Sequence, residues 1–110
     1  MKPVKVQLDK IGFYKLKGRH TTKEDKLWMN ALADLGCIVC KNEGHGFSPA
    51  AIHHIDGKTK EGAHLKTIPL CGQHHQMGGY GIALHAGRKK WESLYGTQQE
   101  LLIQVQNLIA

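Results

Sequence analysis

Two pairs of metal-seeking side chains constrain this chain more than any other feature: Cys37-Ile38-Val39-Cys40 and Cys71-Gly72-Gln73-His74, each with a two-residue spacer. Such a spacer on a tight turn lets both side chains approach one ion from the same side, so the two pairs together can close a tetrahedral shell. All three cysteines of the chain fall within these pairs. An odd cysteine count with one close pair reads as a metal clamp in a reducing compartment better than as a disulfide framework. At 110 residues one domain buries only enough apolar surface for a modest stability margin, which a metal staple supplements. Cys37, Cys40, Cys71 and His74 are therefore expected to hold a structural Zn²⁺. Two alternatives remain open: a free thiol pair with an unrelated buried Cys71, and His45, five residues after Cys40, in place of His74.

The chain carries eight histidines, more than one such clamp uses. His53 and His54 lie in the apolar run Ala50 to Ile55, which reads as a short strand closed by the turn Asp56-Gly57. Neighbours on a strand point to opposite faces, so the two cannot ligate one ion together. One is then expected to hold a divalent ion (Mg²⁺, Mn²⁺ or Zn²⁺). The other takes a proton from water attacking a phosphodiester, a role that suits a group titrating near neutrality. His75 supplies a further ligand beside His74, and His85 is the remaining candidate.

Around these residues the pattern is mixed helix and strand. Thr21-Thr22-Lys23-Glu24 has the spacing of a capping box, and Leu27, Trp28, Ala31, Leu32 and Leu35 share one helical face that Gly36 terminates. A second strand is expected from Leu65 to Leu70, then a helix beginning at Cys71. The run Gly78-Gly79-Tyr80-Gly81 must interrupt regular structure, because glycine lowers helix stability. Arg88 to Tyr95 reads as a helix ending at Gly96, and Thr97-Gln98-Gln99-Glu100 opens a last one through Leu101, Leu102, Val105, Leu108 and Ile109. Trp28, Trp91 and Tyr95 fall on apolar faces and read as core, whereas Tyr80 is expected at the surface. The fold expected is α+β: a zinc-stabilised ββα core of the treble-clef kind with flanking helices.

Charge is concentrated at one end. Of the formal +6, all is accounted for by residues 1–23, which hold seven cations against Asp9 alone, leaving the rest balanced. A basic arm over residues 1–20 (Lys2, Lys5, Lys10, Lys15, Lys17, Arg19), carrying a short alternating stretch at Val4, Val6 and Leu8, precedes a domain over 21–110. Such an arm suits DNA, since each neutralised phosphate releases condensed counterions. Arg88, Lys89 and Lys90 beside His85 are candidates for further phosphate contacts. His20 and His45 read as surface histidines. No run of roughly 18 apolar residues offers a membrane span, and no signal-peptide core follows the basic start, so a cytoplasmic protein is expected.

Cys-x-x-Cys, the strand bearing His53-His54-Ile55, and Ile68-Pro69-Leu70-Cys71-Gly72-Gln73-His74-His75 together resemble a zinc-supported His-Asn-His (HNH, ββα-metal) endonuclease. The closer resemblance is to the phage recombination-enhancement (Ref) nucleases. It rests on Leu35-Gly36-Cys37-Ile38-Val39-Cys40, the two His-His pairs, Gly81-Ile82-Ala83-Leu84-His85-Ala86-Gly87, Trp91 and Tyr95-Gly96. The resemblance implies a metal-dependent DNA endonuclease of phage origin acting with RecA filaments. Carried over by position, it makes His53 a catalytic-metal ligand, His54 the general base, and His75 and His85 the remaining ligands. One departure stands out: the asparagine that orients the base in the broader family has no counterpart, since Asn30, Asn42 and Asn107 lie elsewhere. His64, Lys66 or a backbone carbonyl is left to aim His54. The competing reading is a non-catalytic zinc module that binds nucleic acid.

Overall fold

The computed structural model describes residues 21–109. The basic arm, with Lys2, Lys5, Lys10, Lys15, Lys17, Arg19, His20 and the alternating stretch at Val4 to Leu8, lies outside the described residues.

Helix α1 (Lys23–Leu35) opens at Thr22. Its hydroxyl accepts the Asp25 amide at 3.1 Å, and the Asp25 carboxylate accepts the Thr22 amide at 3.0 Å. The expected box at Thr21 and Glu24 is thus displaced by one residue. Both pairs have the required spacing, and burial of Asp25 against the body selects the second. The buried stripe follows Asp25, Trp28 and Leu32, so Leu27, expected inward, is 62% exposed. Gly36 ends the helix at φ +81°, where an added Cβ would lie 2.8 Å from the Phe47 ring and from the Ser48 carbonyl. Both the backbone angle and the space demand glycine there.

Helix α2 (Ile38–Asn42) is little more than one turn, capped by Cys37, whose sulfur accepts the Cys40 amide at 3.4 Å. Strands β1 (Ala51–His54) and β2 (Thr67–Leu70) pair antiparallel with His53 opposite Ile68 and His54 opposite Thr67. All of β2 is buried, because α1, α2 and α4 all pack on it, whereas β1 is partly exposed. The single strand expected from Leu65 is split: a 3-10 turn, Ala63–Leu65, precedes β2. Thr67 fastens this turn by donating its hydroxyl to the His64 carbonyl at 3.0 Å while accepting Trp28 Nε1–H at 2.9 Å.

The helix expected at Cys71 is instead a five-residue π turn, Gln73–Met77. Its closing bond runs from the Gly78 amide to the Gln73 carbonyl at 3.0 Å, and a Cβ on Gly78 would stand 2.5 Å from that oxygen. After the glycine run and a 3-10 turn, Leu84–Ala86, come α3 (Arg88–Tyr95) and α4 (Gln98–Ile109). Thr97 and Glu100 form the expected reciprocal cap at 2.9 and 3.0 Å. Leu101, Leu102 and Val105 face the core with Leu32, Ile68 and the wholly buried Trp91, whereas Leu108, expected inward, is exposed. The α+β expectation holds, with a mixed helical frame around a small antiparallel sheet consistent with a zinc-stabilised ββα core. Among the described residues no helix is long and apolar enough to cross a membrane.

Candidate active site

The two spaced pairs meet in space. Cys37 at the cap of α2, Cys40 within it, Cys71 just after β2 and His74 on the π turn are all buried, with one ligand atom of each within 4.8 Å of the others. The His74 Nδ1 lies 3.7 Å from Cys37 Sγ, 3.6 Å from Cys40 Sγ and 3.2 Å from Cys71 Sγ, and the sulfurs of Cys40 and Cys71 are 3.8 Å apart. Zn–S and Zn–N bonds of about 2.3 and 2.0 Å at tetrahedral angles require edges of ~3.8 Å between sulfurs and ~3.5 Å between sulfur and nitrogen. The cluster therefore fits a tetrahedral ion and could hold Zn²⁺.

Burial pushes the Cys37 thiol up to about 12. At Cys71 the same burial is outweighed by hydrogen bonds from the His74 backbone and the neighbouring thiols, which hold its pKa below the usual value. Burial lowers the pKa of His74, leaving its ring neutral with a lone pair to offer. Trp91 Nε1–H donates to the His74 carbonyl at 3.1 Å, tying the π turn to the core. His45 pairs with Glu43 at 3.6 Å on the surface instead, and lies outside the cluster.

A second cluster forms on one face of β1. His53, His75 and His85 bring ring nitrogens within 4.8 Å of one another, from β1, the π turn and the 3-10 turn before α3. The His53 Nδ1 is 3.1 Å from His75 Nε2, and the His85 ring centroid is 4.5 Å from that of His75. Burial, then the neighbouring rings of His53 and His85, depress His75 to about 4. Burial and His85 also lower His53, against a raising effect of Gln98, whose Oε1 lies 2.7 Å from His53 Nε2. Neutral imidazoles are the ligating form, so the lowered pKa values of His53 and His75 suit a group that could hold a cation. The π turn lets His74 and His75, adjacent in sequence, serve different clusters, since consecutive helical side chains diverge by about a quarter turn.

His54 takes the opposite face of β1, as strand alternation requires. Its Nε2 lies 3.0 Å from Nδ1 of the buried His64, and its Nδ1 takes no hydrogen bond from any described residue. Burial lowers its pKa first, followed by the nearby His64, Lys58 and His53. Lys66 turns toward Asp56 at 3.9 Å, and among the described residues it is His64 that meets the His54 side chain. Arg88, Lys89 and Lys90 are exposed at the start of α3, Arg88 being paired with Glu92 at 3.1 Å.

Gln98 and Glu92 were not expected at this site. Gln98 follows His53 by 45 residues and reads locally as the first residue of a capped helix, so no sequence signal joins the two.

The geometry accords with a comparison across protein families. Residues 21–110 match the family model described as recombination enhancement, RecA-dependent nuclease. The matched span takes in every cysteine and both His-His pairs, and the chain belongs to the recombination-enhancement, RecA-dependent nuclease family.

Proposed function

We propose that this protein is a metal-dependent DNA endonuclease of the HNH type, of phage origin, that hydrolyses phosphodiester bonds in DNA engaged with RecA filaments. The observation that carries the reading is the division of β1: His53 faces two further imidazoles on one side, and His54 faces His64 on the other.

In this reading His53, His75 and His85 hold the catalytic cation. When bound, that ion supplies a Lewis acid for the phosphoryl oxygen and for the departing alkoxide. All-imidazole donors rank Zn²⁺ first in affinity, whereas Mg²⁺ and Mn²⁺, the harder candidates, depend more on water and phosphate oxygens. His54 accepts the proton of the attacking water at Nδ1. For that nitrogen to be bare, the proton of the neutral ring must sit on Nε2 and be donated to His64 Nδ1. His64 thus takes the aiming role that asparagine has in the broader family. Cys37, Cys40, Cys71 and His74 hold a structural Zn²⁺ that fixes the strand and the π turn. Residues 21–110 form the nuclease domain. The arm 1–20 adds sequence-independent affinity for DNA, helped by Arg88, Lys89 and Lys90 near the cut.

The test is incubation of supercoiled DNA with Mg²⁺, Mn²⁺ or Zn²⁺, with and without RecA-coated single strands homologous to it. Cleavage by the native protein that His54→Ala abolishes is the expected result. Absence of cleavage under every condition would leave a non-catalytic zinc module, and full activity of His54→Ala would remove the base assignment.

A further inference from the structure

The side chain of His53 is tied at its far nitrogen to a line of groups that ends at the surface. His53 Nε2 lies 2.7 Å from Gln98 Oε1, Gln98 Nε2 lies 3.5 Å from Glu92 Oε2, and Arg88 Nη1 lies 3.1 Å from Glu92 Oε1. The Gln98 backbone amide also donates to Glu92 Oε2, at 3.1 Å. These contacts fix a direction. A carboxylate can only accept, so Glu92 requires the amide nitrogen of Gln98 to face it, which turns the amide oxygen toward His53. An amide oxygen also only accepts, so His53 must donate from Nε2. The proton of the neutral ring is then spent at Nε2 and the lone pair resides on Nδ1, the nitrogen that faces His75 at 3.1 Å.

We propose that Gln98, oriented by Glu92, is a positioning residue that sets the tautomer of His53, presenting its Nδ1 lone pair to the cation shared with His75 and His85. This rests on the metal-centre reading for its consequence, although the tautomer itself does not depend on an ion. The arrangement is the amide counterpart of the carboxylate partners that hold metal-ligating histidines through their second nitrogen. It also gives α3 and α4 a part in the site. Glu92 comes from α3 and Gln98 from the first turn of α4, so their packing is transmitted to a ligand on β1.

The test uses full-length protein with its structural zinc retained. Long-range ¹H–¹⁵N spectra of the imidazoles report which nitrogen of His53 carries the proton, without a cation in the second cluster. Co²⁺ titration reports affinity there. Native protein is expected to show His53 as the Nε2–H form. Gln98→Leu should give a mixture of tautomers and a Co²⁺ affinity about 10–100-fold weaker. Gln98→Glu combined with Glu92→Gln keeps an acceptor toward His53 and a donor between the two side chains, and should restore the Nε2–H form and most of the affinity. Glu92→Leu frees the amide to turn over and should move the tautomer in the same direction as Gln98→Leu. A native His53 protonated on Nδ1, or a Gln98→Leu protein with unchanged tautomer and Co²⁺ affinity, would overturn the proposal. Co²⁺ affinity insensitive to His75→Ala is a different failure: it removes the metal-centre reading while the spectra still decide the tautomer.

Discussion

His54 and His64 face each other on the side of β1 opposite His53, Nε2 to Nδ1 at 3.0 Å, with rings nearly perpendicular at 79°. His64 is buried in a 3-10 turn, and the Thr67 hydroxyl holds its carbonyl, so its position is set by the core rather than by solvent. A contact of this kind restricts the rotation of the His54 ring, and the tautomers of the two imidazoles set which of them donates.

Replacing His64 therefore tests aim separately from chemistry. His64→Leu is expected to reduce the turnover of DNA cleavage by about 10–100-fold, part of the 100- to 10,000-fold typical for a general base. His64→Asn, which retains a hydrogen-bonding group, should lose markedly less. Equal losses in the two variants, with thermal melts like the native protein's, would show that His64 only fills space.

The pH profile carries a second signature. A general base works when neutral, so activity is present above its pKa and falls as pH drops through it. Burial, with His64, Lys58 and His53 adding to it, lowers the His54 pKa below the ordinary 6.5. His53 and His75 shift in the same direction, His75 to about 4. The acid limb of kcat/KM is expected below pH 6.5. A limb centred at 7 or above would contradict this assignment of the base.

Loss of the ion proposed for the Cys37, Cys40, Cys71 and His74 cluster should be felt by the whole fold. Cys71→Ser is expected to lose stoichiometric zinc, measured by elemental analysis of purified protein. Its melting temperature should fall by more than about 10 °C, because binding energy at such sites is folding energy in a small domain. A zinc-free native protein with the same melt as Cys71→Ser would show that the four side chains pack without an ion.

The arm makes an ionic prediction. Residues 1–20 hold six cations and one anion, and each phosphate contact contributes about 0.9 to the slope of log affinity against log salt. Deleting these residues should flatten the slope by up to about 5, read by fluorescence anisotropy with a labelled duplex. An unchanged slope would take the arm out of DNA binding.

The sequence alone determined which atoms could do chemistry here and much of the local geometry that presents them. Spacing identified the Cys37–Cys40 and Cys71–His74 pairs, and the two-residue period of a strand sent His53 and His54 to opposite faces. Caps at Gly36, Gly96 and Thr97 were equally legible, since capping is set by neighbours in sequence.

Only the tertiary structure decided contacts made between distant segments. The choice of Thr22 and Asp25 over Thr21 and Glu24 followed from burial, and the exposure of Leu27 and Leu108 followed from where α1 and α4 met the sheet. The turn after β2 became a π turn, in which His74 reaches three thiols and His75 reaches His53. The partners of the strand histidines, His64 for His54 and Gln98 for His53, were likewise settled in three dimensions. Short-range hydrogen bonds and side-chain periodicity are written in neighbouring residues; the pairing of a buried polar group with its partner is fixed only when packing brings both out of water.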